Sequence, residues 1–347
     1  MIDFRYHLVS LVSVFLALAV GMVLGAGPLE GKLGDQLNLQ VKQLATEKED
    51  LRTRLQIAEG ASAHRDTFLD EVGPSLVGQR LSGESVLVIT LPGADTQTAD
   101  SLSKALRTAG ARLAGRVELD ESWADPERVK DRESVLRSLQ PLMASPASHA
   151  VPAGAVQVPA PTPSASVTAS PVPGATSDSA ALAGMLARAT VTTDLGQTST
   201  RDAVADKVLD GLRKGGLLRV DGELSGRATG VVVLAAGVPT ADGEPPTATG
   251  AGGGDRLAQW STLAIGLDAR SDGVVVLGPA SSATDGGLIA TLRARDTPAG
   301  TVSTVDTGTT PMGDVSAVYA LREQFLGGSG SYGFVGKVKA PIPVLGR

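Results

Sequence analysis

The sequence predicts an α/β protein built as an N-terminal transmembrane helix, a coiled-coil helix and a Rossmann-like parallel sheet domain with disordered insertions. Three observations carry that prediction. A long uncharged apolar run opens the chain, and a heptad stripe follows it directly. Beyond them, short Val-rich runs alternate with helical stretches, the pattern of a parallel sheet covered on both faces.

The opening "MIDFRYHLVSLVSVFLALAVGMVLGAGPLEGKL" divides into a head at 1–7 and an anchor at 8–27. Between Leu8 and Ala26 only Ser10 and Ser13 are appreciably polar. At about 1.5 Å per residue the run makes a helix of about 28 Å, close to the hydrocarbon thickness of a bilayer. A signal peptide has a basic start, a shorter apolar run and a small-x-small cleavage site. Here Asp3 offsets Arg5 and the run is longer, so the anchor is read as retained; cleavage after Gly25-Ala26-Gly27 is the alternative. Phe4 and Tyr6 suit the membrane interface. Arg5 on one side and Lys32 and Lys42 on the other do not set the orientation. A short head before a long remainder places the N-terminus inside a cell membrane that is crossed once, with the main domain extracytoplasmic. Ala17, Gly21 and Gly25 recur every four residues, a small-residue face along which two membrane helices can pack. Gly and Ala are also common in membrane helices generally.

The coiled coil is read over 33–73. Leu37, Val41, Leu44, Lys48, Leu51, Leu55 and Ala58 alternate steps of four and three, an a/d seam. The pattern can continue through Ser62, Leu69 and Val72 until Gly73-Pro74, where the helix is predicted to end. Lys48 at an a position fixes register at a cost in stability. A narrow seam directly after a small-residue membrane face favours a parallel homodimer. An amphipathic helix packed on the chain's own domain is the alternative.

The remainder of the 347-residue chain is read as an α/β domain in two parts, 84–140 and 181–335, with a tail at 336–347. Strands are predicted at "ESVLVITL" (84–91), "ARLAGRVEL", "GVVVLAAG" (230–237), "DGVVVLGP" (272–279) and "TVSTVDT" (301–307). Helices are predicted at 97–109, in "PERVKDRESVLRSL", and at about 255–269, 285–294 and 314–326. Residues 141–177 hold no Asp, Glu, Lys or Arg and are mostly Pro, Ala, Ser, Thr and Val, so a disordered insertion is drawn over 141–180. A second soft loop spans 239–255. Aromatics at 3% and 42 Gly suit a small-residue core. A net charge of −6 with no basic run argues against nucleic acid as a partner. The absence of Cys removes disulfide and thiolate chemistry.

Open parallel sheets bind ligands at the carboxyl ends of their strands. That crevice would be lined by Asp95, by Ser281, Ser282 and Asp285 after "VVVLGP", and by Asp306, which can equally cap the following turn. No G-x-G-x-x-G follows a strand, and "GAGGGD" sits in a soft loop. No Walker motif, paired-His metal motif or nucleophile elbow is present, and the carboxylates of "ELDESW" (118–123) read as solvated surface. No catalytic residue and no cofactor is assigned; a ligand-binding or enzymatic domain is the remote alternative.

The opening 29 residues, the coil and "STVDTGTTPMGDVSAVYALREQFLGGSGSYG" together resemble the actinobacterial copper transport protein B family, the mycobacterial outer-membrane type. The resemblance runs from Met1 to about Phe334, with 141–177 and 239–255 as insertions. It implies a non-catalytic cell-envelope role in copper efflux or homeostasis. Related corynebacterial proteins imply instead a dimeric scaffold or regulator in envelope assembly or division, acting with a second membrane protein. Copper enters by the resemblance alone. Cu(I) is selected by Cys and Met and Cu(II) by His. The chain has no Cys, scattered His7, His64 and His149, and five Met without M-x-M or M-x-x-M spacing. No metal site is therefore assigned. The long alternating strands and aromatic girdles of a membrane barrel are not visible in the sequence either.

Overall fold

A computed structural model describes residues 4–25, 29–144, 176–238, 253–294 and 301–344. The chain divides into two compact units, Met1–Arg65 and Asp66–Arg347.

The first unit is helical. Helix α1 (Phe4–Gly25) is long and apolar enough to cross a membrane by length and composition, and its side chains from Tyr6 to Val23 are exposed. Its Ser13 hydroxyl donates to the Val9 carbonyl at 2.7 Å, so that polar group is satisfied within the helix. Residues 26–28, and with them most of the alternative cleavage site, lie outside the described residues. Helix α2 (Leu29–Val77) carries the heptad stripe and continues into the second unit.

The predicted stop at Gly73-Pro74 is corrected by the structure, because α2 passes through Pro74 and ends at Val77. A proline inside a helix costs about 3 kcal/mol through its missing N–H and its ring. Tertiary contacts outweigh that cost here. Val77 and, just beyond the helix, Leu81 are buried in the core. The Tyr319 hydroxyl donates to the Leu76 carbonyl at 2.8 Å.

The second unit alternates strands and helices. In order come β1 (Ser85–Thr90), α3 (Thr96–Thr108), β2 (Arg112–Leu119), α4 (Val129–Ala144), α5 (Ser177–Thr190) and α6 (Ala203–Lys214). Then follow β3 (Leu218–Asp221), β4 (Gly230–Leu234), α7 (Gly253–Asp268), β5 (Gly273–Leu277), α8 (Leu288–Arg293), β6 (Ser303–Val305), α9 (Pro311–Phe325) and β7 (Ser331–Tyr332). One seven-stranded sheet runs in the order β3-β2-β1-β4-β5-β6-β7. All its pairings are parallel except β2 with β3.

Both faces of the sheet are covered, which is why the central strands read as unbroken apolar runs. Leu87, Ile89, Val231, Val233, Val274 and Val276 pack against α4 to α8. Val86, Val88, Val232, Leu234, Val275 and Leu277 pack against α3, α9 and the end of α2. The starts of β4 and β5 need glycine for a close approach. A Cβ at Gly230 would lie 2.6 Å from the Phe325 ring, and one at Gly273 would lie 2.3 Å from Gln324 Cβ.

The 141–180 insertion is trimmed at both ends, since α4 continues to Ala144 through Pro141 and α5 begins at Ser177. Residues 145–175, including His149, and 239–252 lie outside the described residues. Helices α5 and α6 and strands β3 and β7 were not foreseen. The tail from 336 is tied to the sheet edge: Ala340 bridges Tyr332, and the Lys339 amide donates to the Ser331 carbonyl at 2.7 Å.

Candidate functional site

The strand order reverses between β1 and β4, whose onward connections run in opposite directions, to β2 and to β5, so a crevice opens at their carboxyl ends. A cleft of about 170 Å³ lies there. It is walled by Gly93 and Ala94 after β1, Ala235 and Gly237 after β4, Pro279 after β5 and Thr309 after β6. Sites for drug-sized ligands usually measure about 300–1,000 Å³. Glycines keep the walls close, and a Cβ at Gly237 would lie 2.5 Å from Ser281 Oγ.

Asp95 lines this cleft as the N-cap of α3. Its carboxylate accepts from the Thr98 amide at 2.9 Å, the Thr98 hydroxyl at 2.8 Å and the Gln97 amide at 3.3 Å. The Thr98 hydroxyl, then the Thr98 amide, hold its carboxyl below the usual range. The anionic side chain sits where a phosphate would otherwise meet the helix N-terminus. Asp95→Ala is expected to lower stability by about 1 kcal/mol at neutral pH, read from urea unfolding. Because the folded pKa is depressed, Asp95's contribution is present above the unfolded value of about 3.9 and fades as pH falls through the folded one.

The other four crevice residues are not among those that line this cleft. Ser281 and Ser282 lie in a short turn, Ala280–Ala283, where the buried Ser282 hydroxyl donates to the Pro279 carbonyl at 2.6 Å. Asp285 is exposed. Asp306 is buried and neither faces the cleft lining nor caps a helix; Thr310 caps α9 instead. The Asp306 carboxylate accepts from Arg293 Nη1 at 2.8 Å and from the amides of Phe334 at 2.9 Å and Val335 at 3.0 Å. Arg293 also donates to Thr304 Oγ1 at 2.9 Å and to the carbonyls of Tyr332 at 2.7 Å and Val335 at 2.5 Å. This group joins α8, β6 and the segment after β7. Sequence reasoning missed Arg293, because an arginine ending a short helix reads as solvent-facing.

The heptad residues lie elsewhere. Leu37, Val41, Leu44, Leu51 and Leu55 are 55–64% exposed, and Lys48 and Ala58 are exposed beside them. Leu44, Lys48, Leu51 and Leu55 line one shallow groove along α2. On α1, Ala17 is exposed, a Cβ at Gly21 would meet nothing within 4 Å, and Gly25 is the last residue of the helix. His7 and His64 are exposed on α1 and α2. Among the described residues no three His, Cys, Asp or Glu side chains are grouped to hold a metal ion.

The family described as "Copper transport outer membrane protein, MctB" matches residues 1–343. The chain belongs to that family. It is 31% identical over 138 residues to proteins named "Copper transporter MctB" from Mycobacterium tuberculosis (strain H37Rv), Mycobacterium bovis and Mycobacterium leprae. The aligned region covers 40% of this chain and 44% of each relative, so the chain spans less than half the length of the curated relatives it matches.

Proposed function

We propose that this chain serves copper transport as a membrane-tethered, non-catalytic homodimer that acts through a second membrane protein of the envelope. The observation that carries this reading is the exposed heptad stripe of α2, following a helix of bilayer length. An unpartnered apolar stripe at coiled-coil spacing is satisfied by a second copy in parallel, and Ala17, Gly21 and Gly25 place a close-packing face on the preceding helix. The family supplies copper as the cargo. The donor set argues that copper is not held tightly by this chain, since Cys is absent and His7 and His64 stand apart on two helices. The narrow cleft, with Asp95 on the helix N-terminus, supports a non-catalytic domain. In this reading the N-terminus is cytoplasmic and the sheet domain is outside.

Two experiments test it. In a strain lacking the gene, the full chain is expected to restore copper tolerance. A version with residues 1–29 replaced by a cleavable signal peptide is expected to fail, and rescue by that untethered form would contradict the tether. Intact-mass analysis of protein extracted from membranes should find residues 1–29 attached; a mature start near Pro28 would contradict a retained anchor.

A further inference from the structure

A second cavity, of about 140 Å³, lies between the last turns of α2, helix α3 and the first turn of α9. Leu69, Val77, Ala105 and Val315 give it an apolar wall, and Ser101, Lys104 and Thr108 of α3 give it a polar one. An apolar cavity of about 150 Å³ accepts a benzene ring, so there is room for a short hydrocarbon chain. Asp314 of α9 brings a carboxylate into this lining. Its Oδ1 is buried and has no hydrogen-bond partner, while the Ser101 hydroxyl hydrogen-bonds this carboxyl and also donates to the Thr98 carbonyl at 3.2 Å.

The other charged groups in the lining come from two elements. Asp70 of α2 is exposed at the lining and adds a second negative charge. Lys104 of α3 is exposed there too and forms no ion pair among the described residues. Two carboxylates against one ammonium leave the cavity acidic. We propose that it binds a small primary alkylammonium, whose charged head pairs with Asp314 and whose hydrocarbon lies on the apolar wall. A hard divalent cation would need about six oxygen ligands, which two carboxylates beside an apolar wall do not offer.

Burial, with the Asp70 charge adding to it, pushes the Asp314 carboxyl up to about 7. The ammonium and the proton therefore compete for one oxygen. An alkylammonium stays charged well above that pH, as lysine does. Binding tightens as pH rises through the Asp314 titration, by about tenfold between pH 6 and pH 8.

Titration calorimetry of the full chain in detergent, with n-butylammonium as the probe, tests the site. One saturable event per chain is expected at pH 8 and about tenfold weaker binding at pH 6. n-Butanol, which carries the same hydrocarbon without the charge, should give no saturable event. Asp314→Asn should abolish binding, and Lys104→Met should tighten it by removing a like charge from the lining. If Asp314→Asn does not fold, Asp70→Asn reads the same charge from the exposed side and should weaken binding several-fold. No saturable binding at pH 8, or equal binding by butanol or by a folded Asp314→Asn protein, overturns the proposal.

Discussion

Asp306→Ala is expected to lower the stability of the folded protein by about 3–5 kcal/mol, the range for breaking a buried ion pair from one side. The pair is closed to solvent, with the Arg293 side chain 4% exposed and that of Asp306 0%. Losing the carboxylate strands a buried guanidinium and removes the acceptor for the Phe334 and Val335 amides. The chain also wraps tightly around this carboxylate: Gly333 has φ +129°, and a Cβ there would lie 1.8 Å from Asp306 Oδ1. Arg293→Met with Asp306→Leu, which removes both charges, is expected to recover part of the loss. Urea unfolding of the full chain and the two variants reads the difference. A loss below about 1 kcal/mol for Asp306→Ala would show that the pair contributes little.

Leu44→Pro is expected to abolish self-association of residues 30–347. Proline interrupts the helix at about 3 kcal/mol and also removes a seam leucine. Lys48→Ile should act in the opposite sense, since an ammonium buried at an a position is costly. Both changes fall on the exposed groove that Leu44, Lys48, Leu51 and Leu55 line. Sedimentation equilibrium separates the outcomes: a dimer for the parent, a tighter dimer for Lys48→Ile and a monomer for Leu44→Pro. A monomeric parent at every concentration would remove the coil from the account.

The central sheet was legible because β1, β4 and β5 are buried on both faces, and such strands leave unbroken Val-rich runs. Helices α2, α3, α7 and α9 were legible from their periodicity, whereas α5 was not. What escaped was set by contacts distant in sequence. Pro74 reads as a stop, yet Val77 and Tyr319 hold the helix through it. Strand β3 exists by pairing with β2, and its exposed Arg219 and Asp221 disguise it as a loop. Strand β7 is too short to carry a pattern, and the tail beyond it is ordered through Ala340 and Lys339.

Helix α6 is a different case, since its signal was present. Asp202 caps it, and Ala205, Val208, Leu209 and Leu212 lie at helical spacing on its buried face. Of the crevice residues, Asp95 could be placed because it ends the short connection between a strand and a helix. Asp306 follows a strand too, but its buried pairing with Arg293 has no local signature. Asp314 likewise looks like an ordinary acidic residue in a first helical turn, and only the packing of α2 and α3 around it half-buries it and encloses its Oδ1.

Copper binding by the untagged full chain tests the account most directly, because it sets the cargo of the family against the donors present. Titration calorimetry with Cu(II), and with Cu(I) under reducing conditions, is predicted to show only weak binding, lost in His64→Ala. Submicromolar, stoichiometric binding that survives both His64→Ala and His149→Ala would contradict the account and place a copper site within this chain.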